Sequence, residues 1–455
     1  MTGMAGRRAG AALGLMVLLA GAVALPGAAG ACGMMLVAPQ ETKLVSSNSK
    51  VVLAWDRPPD AAGEPGTEAL TIAVDYHGAP KEFAAVIPVP TFIGRKQIGI
   101  VDMDAIGRLD ALTAPRLTEY DDHDPCAESA IGPAGAAAAM VRAGRPQAGV
   151  PASRPAVTVE ANYDVGEYDV SILSATESKG LFAWLNGHGY AMPPGAEAVL
   201  GSYIRQGAHF FVAKVDLARM PLLAGQFLRP LQVRYQTAKP TLPIRLGMVN
   251  ANGPQEIVIF ALSRSGRVEV ANYGTVEMPS RIDLPLYVKA EFGRFYHAVF
   301  DRMAARSMAS AYVESAVQLE TFGGQVTGAV PWQAERPSVP QLLALGARWI
   351  GREPADQSQP DSSKLILTRL HIRYDAAHFP EDLAFAETSG ATDFQAVYFL
   401  RHAWRGSANC PAAEAYRRSL PERYAQEARD LARITGWPQD EIRARMAATG
   451  EEAAK

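Results

Sequence analysis

Apolar residues recur at helical spacing in five stretches of the chain. Met103, Ile106, Leu109 and Leu112 predict a helix over Asp102–Tyr120. Val199, Leu200, Tyr203 and Ile204 mark one face of Ala196–Gln206. Phe292, Phe295, Tyr296, Val299, Phe300 and Met303 form the cleanest stripe, over Phe292–Met303. Ser178–Leu185 and Val339–Ile350 read the same way, the second with Pro340 in its first turn. Short dense or alternating apolar runs predict strands at Val51–Trp55, Leu70–Tyr76, Phe83–Val89, Tyr168–Ala175, Phe210–Val215, Leu231–Thr237, Pro243–Val249, Ile257–Ser263, Val268–Tyr273, Tyr312–Leu319, Leu365–Tyr374 and Phe394–Leu400. The turn cluster His77-Gly78-Ala79-Pro80 makes a hairpin of the second and third of these. The close strands between Leu231 and Tyr273 imply further antiparallel hairpins. The expected class is α+β, with mixed, mainly antiparallel sheets and helices inserted between strands.

The pattern lapses three times. Residues 127–156 hold Ala, Gly and Pro with few large apolar groups, which predicts a flexible linker. It separates an N-terminal hairpin and helix region, 32–126, from the main α+β body, 157–410. The first region is short for an independent core and is expected to pack on the later sheet. A helical tail, 411–455, restarts at Pro438; being polar on most faces, it is expected to pack loosely. At the other end, residues 1–31 read as a signal peptide: Arg7 and Arg8, an apolar stretch around Leu13–Leu25, then Ala29 and Ala31 in an A-x-A pattern. Cleavage after Ala31 leaves Cys32 first. An uncleaved anchor is the weaker reading, because Ala9–Ala31 carries several Gly and Pro26. Gly30 and Ala31 also suit a lipobox, although Ala29 stands where Leu is usual, and acylation of Cys32 would anchor the chain. The chain is thus expected to be exported to the periplasm or cell surface. It would meet the membrane only through a lipidated Cys32 or an uncleaved signal.

Composition narrows the partners. Of 455 residues, 48% are hydrophobic and 20% charged, ordinary for a globular chain, and the net charge of −3 gives no bias toward nucleic acid. Three cysteines are present, Cys32, Cys126 and Cys410. With Cys32 unmodified, three pairings are open; with Cys32 acylated, only Cys126–Cys410 remains. No CxxC spacing suggests redox or zinc chemistry.

Several blocks resemble one bacterial family, the domain of unknown function 2330. They are Phe83-Ala-Ala-Val-Ile-Pro-Val-Pro90, Ala114-Pro-Arg-Leu-Thr-Glu-Tyr120 with Asp124-Pro-Cys126, Gly166-Glu-Tyr-Asp-Val-Ser-Ile-Leu-Ser-Ala175, Trp184-Leu185, Gly189-Tyr190 and Phe210-Phe-Val-Ala-Lys214. Leu242-Pro-Ile-Arg-Leu-Gly247, Ala271-Asn-Tyr273, Phe295-Tyr-His-Ala-Val-Phe-Asp-Arg302 and Leu367-Thr-Arg-Leu-His-Ile-Arg-Tyr374 extend the likeness over roughly Cys32 to Cys410. The resemblance implies an exported envelope protein and carries no catalytic residue with it. Two departures stand out. Glu320-Thr-Phe-Gly-Gly-Gln325 lacks the cysteines that members often have there, and the tail beyond Cys410 is longer than usual.

Candidate chemistry is sparse. Glu119, Asp121, Asp122, His123 and Asp124 form the densest polar cluster, but without a D-x-D-x-D-G ladder they read as a solvated acidic turn rather than a calcium site. His371, Asp375 and His378 share one segment without metal-ligand spacing, and His297, among aromatics, reads as a partly buried structural histidine. Trp184, Tyr190, Tyr203, Phe210 and Phe211 read as core before groove. Pro88, Pro90 and the segment Lys239–Pro243 are expected to end or edge strands, where a partner strand could add. No G-x-S-x-G, S-x-x-K or P-loop motif occurs, so neither a catalytic residue nor a cofactor or metal is assigned. The leading expectation is a non-enzymatic binding or structural protein with an envelope protein or ligand as partner. The alternative is a hydrolase whose site assembles in space.

Overall fold

The computed structural model describes residues 34–37, 49–57, 64–74, 82–127, 157–190, 192–216, 219, 228–249, 251, 253–322, 325–328, 335–350 and 362–451. The signal segment, Cys32 and all but the first residue of the expected linker lie outside these residues.

Two sheets stacked face to face carry the molecule, and the fold is α+β as the pattern predicts. The larger sheet runs in the order β14 (Gly274–Glu277), β16 (Ser310–Phe322), β18 (Ser362–Tyr374), β12 (Gln255–Ser263), β2 (Ser49–Asp56), β3 (Gly66–Val74), β10 (Leu231–Thr237) and β5 (Ile98–Ile100). The smaller is β1 (Met34–Val37), β4 (Glu82–Val89), β9 (His209–Asp216), β8 (Tyr168–Ala175) and β7 (Val157–Val165). Val51, Leu53, Ile257, Ile259, Leu370 and Ile372 of the first meet Phe83, Ile87, Ile172 and Phe211 of the second in one buried layer. Such strands are apolar on both faces because helices cover their outer sides. On the smaller sheet, α2 (Ser178–Gly187) and α3 (Ala196–Arg205) bury Leu181, Leu185, Leu200 and Tyr203. On the larger, α1 (Met103–Thr113) and α6 (Val339–Ala344) cover Phe260, Leu262 and Leu367.

The expected hairpins fail. β3 does not pair with β4, because β2 and β10 occupy its edges while β1 and β9 occupy those of β4. Nor do β10, β12 and β13 (Arg267–Val270) pair with each other; β12 lies between β18 and β2, and β13 joins β19 (Leu383–Thr388). Pro88 sits inside a sheet, opposite Phe210, but beyond the span Phe83–Val86 that β1 contacts. The expected strand Pro243–Val249 is instead a helical turn, α4 (Arg245–Met248). The Asp382 carboxylate accepts from the Ile244 and Arg245 amides at 3.0 and 3.2 Å and caps that turn from across the chain. The helix expected to reach Tyr120 ends at Thr113: Ala114 is extended before Pro115 and β6 (Arg116–Asp121) follows.

A third assembly forms around α5 (Phe292–Arg306). Phe295, Val299 and Phe300 pack with Tyr398 and Leu400 of β21 (Val397–His402), Leu284 of β15 (Ile282–Leu284) and the tail. Strands β15, β21 and β6 make an all-parallel sheet with β21 in the middle. The tail does not pack loosely. Helices α7 (Pro411–Thr435) and α8 (Gln439–Ala448) bury Ala428, Leu431, Ile434, Ile442 and Met446 on one stripe, hidden in a sequence dominated by Arg, Glu and Ala. Among the described residues no helix is long and apolar enough to cross a membrane.

Candidate functional site

Two polar assemblies stand apart from the apolar layers. The first is a chain of alternating charges across the outer face of the large sheet. Lys50 Nζ reaches Asp110 at 2.5 Å. Arg369 donates to both Asp110 and Glu314. His371 Nδ1 lies 2.8 Å and its Nε2 3.4 Å from the carboxylates of Glu314 and Glu256. Arg373 continues to Glu256 at 2.8 Å and Asp301 at 2.6 Å. Glu314 is the extra residue of a β-bulge in β16, between Val313 opposite Leu370 and Ser315 opposite Arg369. The bulge turns its carboxylate inward.

Burial pushes the Glu314 carboxyl up, but the His371 and Arg369 charges and their hydrogen bonds outweigh it and hold it at about 2. Glu256 is held at about 2 in the same way, mainly by His371 and Arg373. Both carboxylates are therefore acceptors only, and both nitrogens of His371 must donate to them. Burial pulls the imidazolium down, but the paired carboxylates raise it overall. Phe300 stacks on it at 3.7 Å, with planes 5° apart. Every member has its partners, so the assembly offers a ligand nothing. It is a structural brace between sheet, α1 and α5.

The second assembly has an opening. A cleft of about 360 Å³ is lined by Asp121, Asp122, Leu286, His402, Ala403, Trp404 and Arg405. These residues end or follow β6, β15 and β21, so the cleft lies off the carboxyl edge of the parallel sheet. Parallel strands there leave divergent connections and a crevice, the usual ligand position in open sheets of this kind.

Each wall is fixed. Asp122 Oδ1 accepts from Arg401 at 2.9 Å; its Oδ2 accepts from Tyr416 at 2.6 Å and from Arg423. Burial pushes this carboxyl up, but those three donors hold it below its ordinary range. Glu119 is held low by Lys289 at 2.6 Å and His402 at 2.9 Å. The Tyr416 hydroxyl also accepts from the Trp404 amide at 2.9 Å. The indole is closed on one side by Gly406, where a Cβ would stand 2.3 Å from the ring, so only glycine fits. Asp121 and Arg405 are exposed, and among the described residues no hydrogen bond or ion pair engages either side chain. The cleft thus offers one carboxylate and one guanidinium beside an aromatic wall.

The disulfide joins this region. Cys126 and Cys410 are bonded, with Cα atoms 6.0 Å apart and a separation of 284 positions in sequence. Cys410 is also the N-cap of α7, its sulfur accepting from the Ala413 amide at 3.4 Å.

Other sequence candidates disperse. The acidic cluster is solvated as expected at Asp121, His123 and Asp124, which are exposed, but Glu119 and Asp122 are ion-paired to distant strands and helices. His378 pairs with Asp375 at 2.8 Å, separately from His371. His297 is exposed on α5 rather than partly buried. Tyr190, Tyr203, Phe210 and Phe211 are buried in the apolar layers, and Trp184 stacks on His188 at 3.7 Å. Among the described residues no group of three or more His, Cys, Asp or Glu is arranged to hold a metal ion. Sequence reasoning passed over His402, Trp404 and Arg405; the only local hint was the end of a strand followed by Gly406.

No curated protein matches the chain. Among solved structures, the crystal structure of baculovirus P35 aligns with 77% of this chain and 98% of that chain, at 9% identity and a TM-score of 0.27, a likeness that carries no argument. A family model described as an uncharacterized protein conserved in bacteria matches residues 26–386, which include Asp121, Asp122 and Leu286 but stop short of His402–Arg405. With most of its length matched, the chain belongs to the DUF2330 family.

Proposed function

We propose that this is an exported envelope protein that binds a small zwitterionic solute, an amino acid or short peptide, in the cleft at the carboxyl edge of the parallel sheet. The observation that carries the reading is the pair of unengaged opposite charges, Asp121 and Arg405, in one cleft with Trp404. An ammonium group would meet Asp121, a carboxylate would meet Arg405 with its planar fork, and an apolar side chain would lie against the indole. The Cys126–Cys410 bond supports the export part, because disulfides persist in oxidising compartments. Calorimetric titration with a panel of amino acids and dipeptides tests it. Binding by at least one member, weakened roughly 10-fold or more by either Asp121→Asn or Arg405→Gln, is expected. A panel without any binder, or binding indifferent to both substitutions, overturns it.

One cluster favours the hydrolase alternative. Ser174 Oγ donates to Glu160 at 2.6 Å, and Glu160 is the bulged residue between Val159 and Ala161 of β7. The pairing of Leu173 with Phe210 sets His209 opposite Ser174. Its Nδ1 is buried without a partner among the described residues, and burial holds the imidazole below its ordinary range. Labelling by a fluorophosphonate, lost in Ser174→Ala, supports that reading; an unlabelled wild type ends it.

A further inference from the structure

Behind the cleft, the C-terminal tail places two carboxyl groups where water does not reach. Glu427 of α7 and Glu451, just after α8, are each 3% exposed. Glu451 holds one wall of the cleft: its two oxygens accept from the Leu286 amide at 3.1 and 3.2 Å, and Thr449 donates to it at 2.9 Å. Glu427 stands behind the other wall. Its Oε1 lies 3.5 Å from Nε of Arg423, whose Nη1 grips Asp122. That separation is too long for a hydrogen bond, and Arg423 Nε and Nη2 are buried without an acceptor among the described residues.

We propose that the segment from α7 to Glu451 is a proton-sensitive clamp on the cleft, closed while the buried Glu427–Glu451 pair holds a proton and loosened when both carboxyls must carry charge. The proposal rests on the binding reading only for what the clamp regulates; docking of the tail is a property of the protein alone.

The groups facing the pair come from every neighbouring element. Arg423 and Tyr424 belong to α7, Asp283 to β15, and Arg401 and His402 to β21. Burial first, then the Glu451 and Asp283 charges, push the Glu427 carboxyl up to about 8, with Arg423 and Arg401 opposing. Burial raises Glu451 as well, against the Leu286 amide, Thr449, Arg423 and His402. A detached tail would carry ordinary glutamates. Docking therefore takes up protons between pH 4.5, the ordinary value, and about 8. In that window the docking constant falls as pH rises, by about tenfold per pH unit for each proton taken up. The apolar stripe of α7 and α8 opposes release, so the open state is a minor one, reached by local unfolding about the Cys410 anchor.

Hydrogen exchange of the full-length oxidised protein tests the clamp. Protection factors of α7 and α8 amides, corrected for intrinsic exchange, are read at pH 5.5, 6.5, 7.5 and 8.5 without ligand, with β8 and β9 amides as the internal reference. In the wild type, tail protection is expected to fall by about tenfold per unit relative to the reference. In Glu427→Gln with Glu451→Gln, the fall disappears while protection at pH 5.5 is kept. A wild-type tail whose protection follows the reference across the range overturns the clamp, whether or not the variant folds. A slope that survives in the variant overturns the assignment to these two residues. Neither outcome depends on solute binding, so failure of the clamp and failure of the binding reading are told apart.

Discussion

His371 keeps its proton because both ring nitrogens face carboxylates that stay ionised, and its charge in turn holds those carboxylates low. The three ionised groups exist only together. Removing one leaves buried charge uncompensated, at a cost of about 3–5 kcal/mol. Glu314→Gln is expected to lose stability on that scale in urea titration, because Arg369 and His371 each lose one of their two carboxylate partners. An effect below about 1 kcal/mol would show the brace to be dispensable. The pH dependence has a definite sign. The His371 pKa is raised on folding, so its contribution is complete below the ordinary value of 6.5 and drains away as pH rises through the higher folded value. His371→Asn should remove that alkaline loss. Glu68 adds to the same trend from another layer. Wholly buried, with its carboxyl pushed up to about 8 by desolvation, it is neutral in the fold and ionised in the unfolded chain above 4.5, so it too costs stability as pH climbs between those values.

At the scale of elements, Cys410 has two duties, cross-link and helix cap, and they can be separated. Cys410→Ser keeps an oxygen to receive the Ala413 amide, as serine is a favoured N-cap, and removes only the bond. Cys410→Ala removes both. Loss of the cross-link is expected to cost roughly 3–5 kcal/mol by denaturant titration, and the alanine variant roughly 1 kcal/mol more. Equal stabilities for the two variants would mean the cap is idle. Helices α2, α3 and α5 were legible because one-sided burial leaves a periodic trace in the sequence. The central strands were legible as strands but not in their pairings, since a strand buried on both faces does not record its neighbours. Strand β6 was invisible: Leu117 and Tyr120 continue the spacing of α1, and only Pro115 marks the break. The cleft was illegible for the same reason. Its walls are strand ends about three hundred residues apart, brought together by a parallel sheet of two short strands and one middle strand.

For the molecule as a whole, the parallel sheet sets a timetable. Strand β21 lies between β6 and β15, so neither outer strand finds its neighbour until nearly the whole chain is made. Contacts of such sequence separation form late and slowly. The thiols obey the same timetable. If the chain is exported as proposed, threading N-terminus first into an oxidising compartment presents Cys32 and Cys126 well before Cys410, and the first oxidant to arrive finds the wrong pair. Escape then depends on thiol exchange, which takes seconds to hours. Oxidative refolding of the full chain should therefore speed up in Cys32→Ser, with fewer mispaired species on non-reducing electrophoresis; unchanged kinetics would show that Cys32 never competes. Acylation of Cys32 would accomplish the same thing chemically. A lipid on that sulfur would then serve as a protecting group as well as a tether, leaving the late-arriving Cys410 a single partner to find.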